Sequence, residues 1–206
     1  MKKVVITIAR QYGSGGRTIG QMLAKDLGIH YYDKELLKLA SDDSGINEEL
    51  FEGVDEKLKS SPLFSISKKV YQGQLISPKS RDFTSEENLF NYQAKIIKEL
   101  AETESCVIIG RCADFVLKDY EHVLSVFVHA PEWYLLEQAR KKQSMSDKDL
   151  KAFIAKTDKA RAEYYKHYTG RDWTDARNYD LCLDSSKLGF ERCVEEIKAY
   201  MEVRMR

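Results

Sequence analysis

Apolar residues fall in five short runs along the chain, and polar turn residues bound each run. The first run is Val4, Val5, Ile6 and Ile8, which has the composition of a buried strand. The others cover residues 29–32, 106–109, 123–128 and 179–183. Elsewhere the apolar positions switch to a spacing of three and four, which predicts helices. Ile19, Met22, Leu23 and Leu27 follow the first run, and Leu36, Leu37 and Leu39 follow the second. Leu89, Gln93, Ile96, Ile97 and Leu100 precede the third, and Phe190, Val194, Ile197 and Met201 follow the fifth. Short strands alternating with helices predict an α/β fold: a three-layer arrangement in which a five-stranded parallel sheet is covered on both faces.

Local signals mark the helix ends. Gly28 suits a helix stop. Thr84 with Glu87 three residues later makes a capping box, and Ser146 with Asp149 has the same spacing. Pro131 opens a helix that runs to Lys142, and Asp184, Ser185 and Ser186 cap the last one. Residues 41–83 are the least regular part, with a short helix expected over 47–58. Residues 60–85 hold two of the three prolines, several serines, and Phe64, Tyr71 and Phe83. This pattern predicts a mobile insert or lobe that covers a site. Its Lys68, Lys69, Lys79 and Arg81 read either as contacts for a phosphorylated substrate or as a solvated face.

Composition narrows the classes. The chain has 206 residues, with 33 Lys+Arg against 33 Asp+Glu, so its formal net charge is zero. That balance argues against a general nucleic-acid or membrane-surface binder, and it leaves room for a local basic pocket. Cys106, Cys112, Cys182 and Cys193 form no CxxC pair, and the histidines fit no zinc spacing. Cys106 and Cys182 lie in apolar runs and are expected to be buried free thiols of a reducing cytoplasm. No run has the length of a membrane span and no signal-type segment is evident, so a cytoplasmic location is expected.

The densest chemistry lies at residues 4–20, VVITIARQYGSGGRTIG. Gly13, Ser14, Gly15 and Gly16 form a turn between the first strand and the first helix. Backbone N–H groups of such a turn can converge on one anion, and the helix dipole favours negative charge there. The phosphate-loop pattern G-x-x-x-x-G-K-[ST] is met only in part. With Gly15 as its second glycine, Arg10 stands at the first glycine and Gly16 at the lysine. Arg17 is then the candidate cation and Thr18 the candidate Mg²⁺ ligand; the alternative is a tight turn that binds nothing.

Further candidates follow the other strands. Asp33 and Lys34 lie just beyond the second, where α/β folds place ligands, and Asp33 reads equally well as a helix cap. Arg111 follows the third strand beside Gly110 and suits a phosphate, or else an ion pair with Asp114. Arg140, Lys142 and Arg161 lie on a helical hairpin able to close over phosphates and exclude water. Asp158 and Arg161 share a helix face; the alternative there is an exposed salt bridge with Tyr164, Tyr165 and Tyr168 packed beneath it.

Five segments together resemble the cytidylate kinase-like family of P-loop nucleoside-monophosphate kinases. They are ITIARQYGSGGRTIG at 6–20, HYYDKELL at 30–37, VIIGRCAD at 107–114, DKARAEYY at 158–165 and YDLCLDSSKLGFE at 179–191. The resemblance implies a three-layer P-loop kinase fold over residues 1–206 as a single domain. It also implies an inserted monophosphate-binding lobe at 41–83 and a helical lid at 140–170. The implied activity is transfer of the γ-phosphoryl group of ATP, with Mg²⁺, to a nucleoside monophosphate (CMP or related) or another small phosphorylated acceptor. By position, Gly13, Ser14, Gly15, Gly16, Arg17 and Thr18 would hold ATP, and Thr18 the metal. Asp33, Lys34, Arg111, Asp114, Asp158 and Arg161 would border the acceptor. Arg17, Arg111, Arg140 and Arg161 would stabilise the transferring group.

The chain departs from the family's cytidylate kinases at three places. Gly16 replaces the loop lysine. In a D-S-G-A-x-Y-R pattern after the second strand, Lys34 replaces the serine and Leu39 the arginine. Ile109 stands where an aspartate precedes the glycine–arginine pair. These departures leave a second function open, a nucleotide-binding sensor or interaction module with little turnover. Expected partners are a nucleotide and a small phosphorylated acceptor, with no nucleic acid and no membrane. Aromatic residues of the insert could supply a homodimer contact.

Overall fold

The structure is a computed structural model that describes residues 3–56 and 70–204. The five apolar runs form strands β1 (Val5–Arg10), β2 (His30–Tyr32), β3 (Cys106–Ile109), β4 (Val123–His129) and β5 (Leu181–Asp184). All neighbouring strands run parallel, in the order β2-β3-β1-β4-β5. β1 is therefore central and is buried along its whole length. Its residues alternate between two cores, as the two-residue period of a strand requires. Val5 and Ala9 pack on one face with Cys106, Ile108 and Phe127, whereas Ile6 and Ile8 pack on the other with Val107, Ile109 and Val126.

Helices α1 (Gly16–Leu27) and α8 (Ser185–Arg204) cover the second of these faces, and α8 is broken at Gly189. Helices α2 (Glu35–Ser44), α3 (Glu48–Val54), α4 (Glu86–Thr103) and α5 (Ala113–Val116) cover the first. Helices α6 (Glu132–Arg140) and α7 (Asp147–Thr169) form the expected hairpin around Leu135, Leu136, Ala139, Leu150 and Ile154. Residue 8 of β1 pairs with residue 109 of β3, and the Gly110 N–H donates to the Ile8 carbonyl at 3.0 Å. The turns leaving β1 and β3 thus lie side by side at the carboxyl edge of the sheet, where open α/β sheets bind ligands.

Several local expectations shift. Ser85, not Thr84, caps α4 by accepting the Asn88 N–H at 3.3 Å. The last strand starts at Leu181 rather than at residue 179, because Asp180 turns its N–H to the Ser125 carbonyl at 2.9 Å. Cys182 is exposed, because it sits on the outer face of edge strand β5, while Cys106, Cys112 and Cys193 are buried. Of the insert, Leu58, Phe64, Lys68 and Lys69 lie outside the described residues. Its described part is tied down rather than loose: Tyr71 N–H donates to the Tyr168 carbonyl at 2.9 Å and Ile76 N–H to Asn88 Oδ1 at 2.8 Å. Tyr71 and Phe83 pack against the chain's own core. Among the described residues no helix is long and apolar enough to cross a membrane.

Candidate active site

The glycine turn after β1 has the form of an anion cradle. Gly13 and Gly15 have φ of 86° and 83°, the left-handed region that glycine alone adopts freely. Gly15 is the N-cap of α1 and no side chain caps the helix, so the first N–H groups of α1 remain for a ligand. A Cβ on Gly16 would lie 2.5 Å from Arg10 Cβ, and one on Gly15 would enter the Phe190 ring. The Ser14 hydroxyl donates to the Gln11 carbonyl at 2.9 Å and so folds into the loop instead of facing outward. The Tyr12 N–H donates to Asp158 Oδ1 at 2.8 Å, which ties α7 to the loop.

Beneath this cradle lies a cluster of four arginines and four carboxylates. Arg10, almost fully buried, ends β1 and forms a two-pronged ion pair with Glu56, its Nη2 lying 2.9 Å from Oε2. Arg161 Nε reaches the same carboxylate at 3.4 Å, and the Arg111 N–H donates to it at 3.2 Å. The fully buried Arg111 side chain pairs with Asp55 at 2.9 Å and with Asp33 at 3.4 Å. Arg17 Nε sits 2.8 Å from Asp33, and Arg161 is 3.3 Å from Asp158. The turn that delivers Arg111 is tight: Gly110, Arg111 and Cys112 have φ of 67°, 53° and 55°. A Cβ on Gly110 would collide with the Glu56 carboxylate, so glycine is what lets Glu56 reach this turn. Left-handed geometry at Arg111, Cys112 and also Glu56 (φ 50°) is a strain that the surrounding ion pairs hold in place.

Charge states follow from burial and neighbours. Burial pushes the Glu56 carboxyl up, but Arg10 and Arg161 outweigh it and hold it well below the usual range. Burial raises the neighbouring Asp55, and Arg111 offsets only part of this. Burial also raises Asp158, and burial together with Arg10 lowers Arg161. Arg10 Nε and Arg111 Nε are buried with no hydrogen-bond partner among the described residues. The open N–H groups at the start of α1, beside these guanidiniums, fit polyanionic phosphate.

Two clefts meet at this cluster. One, of about 330 Å³, is lined by the glycine loop, Arg17, Lys142 and Arg161. The other, of about 560 Å³, lies between α2, α3 and α7 and is lined by Arg17, Lys34, Lys156 and Arg161, by Glu52, Asp55 and Glu56, and by Leu37 and Phe153. Arg17 and Arg161 border both.

The structure thus brings together Gly13, Gly15, Gly16, Arg17, Asp33, Lys34, Arg111, Asp158 and Arg161. Asp33 is not a helix cap: Lys34 occupies the cap position of α2 without a side-chain bond, and Asp33 serves Arg17 and Arg111. Arg111 pairs with Asp55 and Asp33 rather than Asp114, which is buried and accepts from the Tyr165 hydroxyl at 2.7 Å. The Asp158–Arg161 pair is largely buried rather than exposed. Thr18 is partly exposed at the third position of α1. Arg140 lines neither cleft; it is exposed and pairs with Asp147 at 2.6 Å across the turn between α6 and α7. Lys79 and Arg81 also line neither cleft. Sequence reasoning did not single out Asp55, Glu56, Lys156 or Phe153, and treated Arg10 only as a departure from the loop pattern. Arg10 carried one readable signal, a charged residue closing a strand that is otherwise apolar.

Comparison with known proteins gives the family and the fold. The family model described as cytidylate kinase-like family matches residues 5–187. A cytidylate kinase of Methanopyrus kandleri is 26% identical over 208 residues, covering 97% of this chain and 93% of that protein. A cytidylate kinase of Pyrococcus horikoshii is 23% identical over 201 residues, covering 97% and 89%. An uncharacterized protein from Eubacterium ventriosum superimposes with a TM-score of 0.71 at 24% identity, over 97% of this chain and 99% of that one. A shikimate kinase from Bacteroides thetaiotaomicron does so with a TM-score of 0.55 at 17% identity, over 97% and 98%. These two structures share the fold of this chain, that of P-loop kinases.

Proposed function

The chain belongs to the cytidylate kinase-like family, and on that premise we propose that it transfers the γ-phosphoryl group of ATP to a nucleoside monophosphate, CMP or a related one. The observation that carries this reading is that Arg10 of β1, Arg161 of α7 and the Arg111 backbone N–H of the turn after β3 all meet at the Glu56 carboxylate, with Arg10 and Arg161 lining the loop cleft and Arg161 and Glu56 the other. Phosphoryl transfer needs alignment and charge neutralisation more than covalent participation by the protein, and this is what such a cluster offers.

In this reading Gly13, Gly15, Gly16 and Arg17, which line the loop cleft, hold the ATP phosphates there. The cleft lined by Lys34, Lys156, Leu37 and Phe153 takes the acceptor, its cations facing the phosphate and its apolar side chains the nucleoside. An acceptor phosphate oxygen bonds to the γ-phosphorus, the bond to the β-bridging oxygen breaks, and ADP leaves with that electron pair. Arg17 and Arg161, which border both clefts, face the charge spread over the moving group. Among the described residues no three His, Cys, Asp or Glu side chains gather around a metal position. Mg²⁺ bound to the ATP phosphates would neutralise part of their charge; Thr18, the hydroxyl that the resemblance assigns to it, lies on α1 and lines neither cleft. Residues 41–83 then act as the acceptor lobe and 140–170 as the lid.

A second reading has its own observation. The site is charge-balanced by its own carboxylates, and Gly16 carries no cation, so a nucleotide-binding sensor with little turnover is the competing function. ADP release from ATP–Mg²⁺ against CMP, dCMP, UMP and AMP separates the two. Acceptor-dependent ADP formation is expected. ATP binding without it would favour the sensor, and no nucleotide binding by calorimetry would remove both.

A further inference from the structure

Four cationic side chains line the glycine-loop cleft: Arg10, Arg17, Lys142 and Arg161. Three are already committed to carboxylates. Arg10 is locked to Glu56, Arg17 to Asp33 at 2.8 Å, and Arg161 to Glu56 and Asp158 at 3.4 and 3.3 Å. Lys142 alone pairs with no carboxylate among the described residues. We infer that Lys142 supplies the cation for the β- and γ-phosphates of bound ATP that the loop itself lacks, so that the charge a phosphate loop carries on its own lysine has moved to the turn between α6 and α7. This inference rests on the ATP-binding reading above.

The reason for the move lies in Arg10. At the position of the loop lysine, any Cβ would lie 2.5 Å from Arg10 Cβ and 3.0 Å from its Cγ. Arg10 cannot yield, because it is buried and held by Glu56. Gly16 is thus the residue that this packing admits, and a lysine there is excluded while Arg10 stays. Arg17, one place later, is drawn toward the acceptor side by Asp33.

The neighbours of Lys142 sharpen the choice. Arg140 is taken by Asp147 at 2.6 Å and Lys141 by Glu137 at 3.4 Å, so both lie along the hairpin surface. The turn itself is held over the loop. The Gln143 amide donates to the Tyr12 hydroxyl at 3.3 Å, and the Tyr12 ring packs edge-on against Phe153 of α7 with centroids 5.1 Å apart. A lysine ammonium is a compact charge with three donors on a flexible stem, which suits phosphate oxygens reached from across a cleft.

The test is calorimetric binding of ATP–Mg²⁺ and of AMP to the full chain, comparing wild type with Lys142→Met, Lys142→Arg and Lys141→Met. Lys142→Met is expected to weaken ATP binding about tenfold to a hundredfold, the scale of one charge-assisted hydrogen bond, and to leave AMP binding unchanged. Lys142→Arg should restore most of the loss, and Lys141→Met should change nothing. ATP binding that is indifferent to Lys142, or that falls equally with Lys141→Met, would overturn this inference alone. A wild type that binds no ATP would overturn the kinase reading and this inference with it.

Discussion

Arg10 and Gly16 are packed so closely that a single methyl group on Gly16 would sit 2.5 Å from Arg10 Cβ, well inside van der Waals contact. The two residues stand at the first-glycine and lysine positions of the phosphate-loop pattern, so their departures from it are one change, not two. Gly16→Ala is expected to destabilise the chain by about 1–3 kcal/mol, the usual cost of overpacking. In an Arg10→Gly background the added cost of Gly16→Ala should fall toward zero. Urea unfolding of the four variants in the cycle measures the coupling. Additive costs would mean that the backbone relaxes around the methyl group.

Arg111 is the most deeply buried cation of the site, with Asp55 at 2.9 Å and Asp33 at 3.4 Å. Arg111→Met leaves those two carboxylates without their partner. Removing one side of a buried ion pair typically costs about 3–5 kcal/mol, and that loss is expected here in denaturant unfolding. Combining Arg111→Met with Asp55→Asn should recover part of it, since one uncompensated charge is gone. An Arg111→Met chain as stable as wild type would show that water reaches the pair.

Burial pushes the Asp114 carboxyl up to about 6, although the Tyr165 hydroxyl bonds to it and lowers it in part. Between the ordinary aspartate value and about 6, the folded chain holds a proton that the unfolded chain has released. Stability contributed by this group therefore falls as pH rises through that window, and the penalty is complete above it. Asp114→Asn removes the charge and keeps an oxygen for Tyr165. It is expected to raise the melting temperature at pH 7–8, with the gain shrinking toward zero near pH 4. A constant difference across that range would place the effect outside the ionisation of Asp114.

The sheet was readable because its signal is local. Alternation along β1 assigns Val5 and Ala9 to one core and Ile6 and Ile8 to the other without any knowledge of their partners. The Ser146 cap of α7 was readable for the same reason, since its acceptor and the Asp149 N–H lie three residues apart. The α4 cap slipped by one because Thr84 and Ser85 offer adjacent hydroxyls, and only the backbone geometry chooses between them. The placement of Asp33 and Arg111 at the carboxyl edge of the sheet was legible because each closely follows a strand, and that of Arg17 because it follows the glycine turn into α1. Its ion pairs were not. Glu56 lies in the least regular part of the chain, yet it meets Arg10 from 46 residues away and Arg111 from 55. No spacing rule reports a carboxylate brought in by tertiary packing.

Phosphoryl transfer between the two clefts can be followed with γ-labelled ATP. Incubating the full chain with labelled ATP, Mg²⁺ and CMP, then separating the nucleotides, shows where the label goes. Label is expected in CDP, formed in step with ADP and strongly reduced in an Arg161→Met variant. Label released only as inorganic phosphate, or left in ATP with CMP and with every other nucleoside monophosphate, would contradict it.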